Sequence, residues 1–372
     1  MDNDNGNGND SGRAEFQFNP PPPPKREPRQ RQEPPPRRNG HGCLIAGALL
    51  LFCALGGLAL FAALALVGVI GGGVAAAGDK TALRESLYSG KSLASEKIAL
   101  IYVKGIILSE KSKWAKVADA ETICEQLELA ANDKRVKGVI LYIDSPGGGI
   151  TATDKIYHYV QRVKEAGKPV VALFDTVAAS GGYYVAAGSD WIVANRMTVT
   201  GSIGVIVNGL NYYQLLQKIG VQDEVYKSKP FKDLLNPARP RTPEEAALVQ
   251  AMVLKSYDIF VDVVAKGRPK LTAQRIKESE IGDGRIFYGY DALRLNLVDE
   301  LGYFDEAEAK VVELASLPRD SYKIVSYQKA FSLSELFTEM AAPDRGVKLE
   351  LPGASQWGVL EPGRFYYLYS GF

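Results

Sequence analysis

Gly138-Val-Ile-Leu-Tyr-Ile-Asp-Ser-Pro-Gly-Gly-Gly149 is the stretch whose reading decides the fold. Its first half, Gly138–Ile143, is continuously apolar, as a strand covered on both faces of a parallel sheet must be. Its second half, Asp144-Ser-Pro-Gly-Gly-Gly149, closes on a proline and three glycines at the strand's C-terminal end. Backbone N–H groups there lie open beside a cleft, where open α/β sheets bind ligands. With a helix following, such amides can stabilise an oxyanion or hold a phosphate. The run has neither the G-x-G-x-x-G spacing nor the Lys-Ser/Thr ending of a phosphate loop, and a tight strand-to-helix turn accounts for it equally well.

Working outward, the same alternation recurs on both sides. Upstream, Ile98–Val103 predicts a strand, and the spacing of Ile123, Leu127 and Ala130 predicts a helix over Thr122–Ala131. Downstream, Ile156, Tyr159, Val160 and Val163 predict a helix over Ile150–Ala166, followed by a buried strand at Pro169–Phe174 and a short one at Trp191–Ala194. Gly204–Asn208 and Glu224–Lys227 read as further short strands. Thr242-Pro-Glu-Glu245 is a capping box with proline at the first helical position, opening a long helix to about Lys266. Strands alternating with helices predict an α/β fold with a mainly parallel sheet.

The Pro169–Phe174 strand runs on into Asp175-Thr-Val-Ala-Ala-Ser-Gly-Gly-Tyr-Tyr184. Ser180 thus falls at or near a helix N-terminus, where the macrodipole favours developing negative charge, with the Gly181 N–H beside it. The flanking glycines allow close approach of a substrate backbone. Residue 178 is alanine, so this is not the G-x-S-x-G elbow, and an N-capping serine is the ordinary alternative.

A nucleophilic serine needs a base, and the 372-residue chain has only two histidines, His41 and His158. His41 lies ahead of the foldable part. His158, mid-helix between Tyr157 and Tyr159, is expected to be a partly buried structural residue. A lysine serves instead when burial disfavours its charged form. Lys232, in Phe231-Lys-Asp-Leu-Leu-Asn-Pro237, has apolar neighbours in a proline-punctuated loop, although a loop lysine is ordinarily just solvated. The three cysteines, Cys43, Cys53 and Cys124, support neither a disulfide framework nor a structural zinc site. A net charge of +1 gives no case for nucleic acid as a partner.

The N-terminal part is different in kind. Residues 1–42 are rich in Asn, Gly and proline, with runs at Pro20–Pro24 and Pro34–Pro36, and are expected to be a disordered tail. Residues 43–77 contain no charge and are long enough to span a membrane once. Lys25, Arg26, Arg29, Arg31, Arg37 and Arg38 precede this segment, which predicts a cytoplasmic N-terminus and an extracytoplasmic globular part. A linker is expected over 78–96, the globular domain over 97–331 and a C-terminal extension over 332–372.

Several pieces, taken in order, resemble signal peptide peptidase A, the Ser–Lys serine protease family of the Clp/crotonase fold. They are the opening stretch, Ala179-Ser-Gly-Gly-Tyr-Tyr184, Thr200-Gly-Ser-Ile-Gly-Val205, Lys232-Asp-Leu-Leu-Asn-Pro237, Gly284-Arg-Ile-Phe-Tyr-Gly289 and Leu297-Val-Asp-Glu-Leu-Gly302. The resemblance implies Ser180 as nucleophile, Lys232 as general base, Ser202 as the serine that hydrogen-bonds the lysine, and the N–H groups of Gly147 and Gly181 as the oxyanion hole. It implies acyl transfer without cofactor or metal. Its expected substrates are cleaved signal peptides and other small peptides, at the inner (cytoplasmic) membrane of a bacterium. The family's short form carries one catalytic copy, and its Ser and Lys come from adjacent domains, which implies a homo-oligomeric ring. Tyr288 departs from the threonine usual in the family at that place. A crotonase-like acyl-CoA enzyme and a non-catalytic membrane scaffold of the same fold are the alternatives.

Overall fold

The computed structural model describes residues 83–109, 117–318, 321–329 and 365–368. The expected tail and membrane span, 1–77, lie outside the described residues. Among the described residues no helix is long and apolar enough to cross a membrane.

In chain order the strands are β1 (Leu83–Gly90), β2 (Glu96–Lys104), β3 (Ile106–Leu108), β4 (Val117–Asp119), β5 (Val136–Ser145), β6 (Gly147–Gly149) and β7 (Val170–Ala179). They continue as β8 (Trp191–Ala194), β9 (Val199–Gly201), β10 (Ile206–Val207), β11 (Ile286–Tyr288), β12 (Glu300–Leu301), β13 (Tyr322–Lys329) and β14 (Phe365–Leu368). The helices are α1 (Ala120–Asn132), α2 (Ile150–Glu165), α3 (Gly181–Ala187), α4 (Tyr213–Lys218), α5 (Pro243–Gly267), α6 (Ala273–Glu278), α7 (Gly289–Arg294) and α8 (Phe304–Leu314).

The main sheet has the order β1-β13-β2-β5-β7-β8-β12, and β9 branches from β7 to carry β11. From β13 to β12 every pairing is parallel, while β1 and β11 pair antiparallel. The mainly parallel α/β sheet read from the sequence is therefore present. The continuous apolar runs have a direct cause. On β5, Val139, Leu141 and Ile143 enter one core with Ile123 and Leu127 of α1 and Ile156, Val160 and Val163 of α2. Ile140, pointing the other way, enters a second core with Ala307 and Val311 of α8. Successive side chains of a strand face opposite sides, so a strand covered on both has no polar position to offer. Each such side chain contributes roughly 1.5–3 kcal/mol relative to exposure.

Several expectations are revised. The linker expected over 78–96 contains β1, which pairs with β13. Residues 224–227 form no strand. The extension expected beyond 331 supplies β14 to a second sheet of order β10-β14-β6-β3-β4, so the folded unit does not stop there. That sheet stands at the C-terminal end of β5, where the glycine run becomes β6.

Candidate active site

Ser180 is the single residue between the end of β7 and the start of α3, and the junction is sharp. Its backbone stands at φ 51°, ψ −116°, a region that costs a non-glycine residue of order 1–3 kcal/mol and persists only where the surroundings enforce it. The enforcement is visible: the Ser180 N–H donates to the Gly201 carbonyl at 2.8 Å, and its own carbonyl accepts from the Tyr184 N–H at 2.8 Å. The side chain is 1% exposed and its Oγ has no hydrogen-bond partner. It caps nothing, which removes the capping alternative. A buried, unpartnered hydroxyl costs desolvation without return, so it calls for a functional reason.

β9 carries Ser202 to the same place. Ala179 pairs with Gly201 across the parallel β7–β9 ladder, so Ser180 and Ser202 each follow one of two paired residues. Ser202 also has positive φ, 50°, is buried, and donates its N–H to the Arg285 carbonyl at 2.8 Å. The structure thus brings two of the predicted residues onto neighbouring strand ends.

Gly147 has φ 101°, and a Cβ there would stand 2.6 Å from the Gly181 nitrogen. The two backbones predicted to stabilise an oxyanion therefore border one small space, which a side chain on Gly147 would fill and which the Tyr367 carbonyl oxygen occupies, 2.0 Å from where that Cβ would stand. The Gly147 N–H presently donates to Ser145 Oγ at 3.1 Å. A Cβ on Gly181 would lie 2.9 Å from Thr153 Oγ1, a second buried hydroxyl without a partner.

Lys232 is not part of this cluster. It sits in a 3₁₀ turn, Pro230–Asp233, and is exposed. Among the described residues no hydrogen bond or ion pair joins its ammonium to Ser180 or Ser202. Its neighbour Asp233 is held firmly: Arg239 Nε donates to it at 2.7 Å and Lys227 Nζ at 2.7 Å. The Arg239 and Lys227 charges keep the Asp233 carboxyl well below the usual carboxylate range. Arg239 also reaches Glu245 at 2.9 Å. Glu245, buried at the start of α5, closes the expected capping box with Thr242. Arg239, then the Thr242 N–H, hold its carboxyl down to about 2. Asp233, Arg239 and Glu245 together anchor the Lys232 loop to α5, and the sequence reading had only the capping box.

His158 is exposed on α2, its ring edge-on to Tyr159 at 5.7 Å, so the expectation of a partly buried residue is corrected. Burial pushes the Cys124 thiol up to about 12, which leaves no reactive thiolate. Tyr288 occupies the N-cap of α7 without a side-chain cap, a position where threonine would supply one.

The sequence profile of peptidase family S49 matches residues 162–318. A provisionally named signal peptide peptidase SppA of Enterococcus faecium is 41% identical over 233 residues, 62% of this chain and 66% of that relative. A provisionally named protease of Synechocystis is 41% identical over 234 residues, 63% of this chain and 80% of its own length. Another, of Methanocaldococcus jannaschii, is 35% identical over 237 residues, 62% of this chain and 74% of its own.

Proposed function

Because this chain belongs to peptidase family S49 and is a serine protease, we propose that Ser180 is its nucleophile and Lys232 its general base, in an endopeptidase that cleaves small peptides through an acyl-enzyme. The observation that carries the reading is the strained, buried Ser180 with an unpartnered Oγ beside the Gly147–Gly181 space. In this mechanism the Lys232 amine takes the Ser180 proton as Oγ attacks the scissile carbonyl. The developing oxyanion turns toward the N–H groups of Gly181 and Gly147, the latter released from Ser145. The amine returns the proton to the leaving nitrogen. Water then attacks the ester with the same base, releasing the acyl group. Ser202 orients the amine.

The exposed position of Lys232 favours a site completed by a second copy of the chain. Large apolar residues stand exposed along the segment that leads to it: Leu210 at 85%, Leu215, Ile219, Tyr226 at 93%, and Phe231. That much exposed apolar surface in one segment favours an interface. Docking there would take the Lys232 ammonium out of water and favour the neutral amine the chemistry needs. A head-to-tail contact of this kind closes as a ring. A single span within residues 43–77, with the catalytic domain outside the cytoplasm, would set the ring beside membrane-released signal peptides.

An active-site serine probe tests the dyad. The wild-type chain and His158→Gln are expected to label, while Ser180→Ala and Lys232→Ala are not. Labelling of Lys232→Ala with loss in His158→Gln would replace the lysine by the histidine.

A further inference from the structure

We propose that Thr198 and Thr200 are positioning residues for the reaction: their hydroxyls clasp a bulge in β7 and so fix where Ser180 presents its Oγ. The proposal rests on Ser180 being the nucleophile.

The bulge is written in the strand register. On the β5 side, Phe174 pairs with Ile143 and Ala178 with Ser145. Asp175, Thr176 and Val177 therefore stand opposite Asp144 alone, two residues more than the ladder needs. On the other side, β7 pairs with β8 as far as Phe174 and with β9 only from Val177, so the strand changes partner within the same stretch. Two extra residues preserve the alternation of side chains, and Ala178 re-enters the core that Phe174 faces. Bulges beside active sites re-aim a side chain, and this one ends three residues before Ser180.

Three side chains close on it. From β5, Asp144 Oδ1 accepts the Val177 N–H at 3.3 Å. From the other side, the Thr198 hydroxyl donates to the Asp175 carbonyl at 2.5 Å, and the Thr200 hydroxyl donates to the Ala178 carbonyl at 2.7 Å. Both threonines are buried. A buried carbonyl that loses its donor keeps the cost of desolvation, so these bonds are held firmly. Together they tie β7 at both ends of its bulge to β9 and the residue before it.

β9 is itself fixed from its far side. Thr200 pairs with Phe287 and Gly201 with Ile286 of β11, and a Cβ on Gly201 would stand 2.7 Å from Phe287 Cδ2. The Thr198 carbonyl accepts the Gly289 N–H at 2.8 Å. The clasp thus holds β7 against an element with little room to yield. Immediately beyond it come the bond from the Ser180 N–H to the Gly201 carbonyl and the φ of 51° at Ser180. Backbone strain of that kind persists only where the surroundings over-determine it. The two hydroxyls supply that determination through the backbone of Asp175 and Ala178, not through the reacting atoms.

The test removes a donor and keeps the shape. Thr200→Val retains the branched side chain without the hydroxyl, and Thr200→Ser retains the hydroxyl. Thr198→Val opens the other end of the clasp should Thr200→Val fail to fold. In the folded valine variants, kcat on a peptide is expected to fall about 10–100-fold with KM within about twofold, because misplacing a catalytic group by about 1 Å costs on that order. Thr200→Ser should recover most of that loss, and the pH at which activity rises should stay where it is in the wild type, since the base is untouched. Amide hydrogen exchange gives a readout free of the chemistry. The residue-180 N–H should exchange about tenfold faster in Thr200→Val than in Thr200→Ser, in the Ser180→Ala background as well, because the clasp limits local opening there. Wild-type kcat in a folded valine variant, no recovery with serine, a displaced pH profile or unchanged exchange at residue 180 would each overturn the clasp and leave Ser180 as nucleophile. Hydrolysis that survives Ser180→Ala would overturn the nucleophile instead, and the exchange comparison in that background then decides the clasp by itself.

Discussion

The Ser180 junction and the Lys232 loop are built in opposite ways. Ser180 is held by the interior: backbone hydrogen bonds on both sides, a parallel ladder beside it and almost no solvent. Lys232 is held at the surface by ion pairs that fasten its neighbour, while its own side chain stays in water. The geometry of the proposed nucleophile is thus a property of one folded chain. The environment of the proposed base is open to whatever docks on the loop. On that proposal a single protomer carries a prepared nucleophile and a presented, uncommitted amine.

The strongest way to break this contrast is complementation. Ser180→Ala and Lys232→Ala are each expected to lose on the order of 10³-fold or more in kcat/KM. Mixed under conditions of subunit exchange, they should regain activity, with about a quarter of the interfaces of a closed ring pairing the two intact residues. Confirmed exchange with no return of activity would place both residues of each site in one chain.

A smaller effect probes how the loop is held. Arg239→Ala removes the bridge between Asp233 and Glu245 and is expected to lower kcat by about 10–100-fold, because misplacing a catalytic group by about 1 Å costs on that order. Introduced into the Lys232→Ala chain, Arg239→Ala should add little further loss, because the loop then carries no base to misplace. A full further loss there would mean that the loop also shapes the Ser180 site.

Acid sharpens the same point. The folded-state pKa of Glu245 lies at about 2, below the ordinary value of ~4.3 for an unfolded chain. Its contribution to stability is therefore fully present above ~4.3 and is lost as pH falls through about 2. Thermal melts across this window should show the wild type losing stability toward low pH and Glu245→Gln losing less, from a lower start. An identical acid limb in both proteins would remove Glu245 from the account.

The smallest expected effect is at the cap. Thr242→Ala should cost about 1 kcal/mol, and a melt should fall by roughly 2–4 °C for a domain of this size. If activity falls further than stability, the cap also matters for the loop.

The parallel sheet was legible in Gly138–Ile143 and Pro169–Phe174, because a strand with cores on both faces must be apolar at every position, and that pattern needs no partner to be read. The Thr242 capping box was legible for a similar reason, since all its contacts lie within one turn. The roles of Gly147, Ser180, Ser202 and Lys232 came from ordered motifs resembling a known family. Residue chemistry alone left Ser180 open between nucleophile and cap. What removed the cap was tertiary: the Ser180 dihedrals, its place beside Gly201 and its unpartnered hydroxyl exist only when β7 and β9 lie side by side. The strand at 365–368 was invisible in the same way, since nothing within Phe-Tyr-Tyr-Leu announces an edge of glycines more than 200 residues away. Local periodicity is written in the chain, whereas long-range pairing depends on which edges the rest of the fold leaves open.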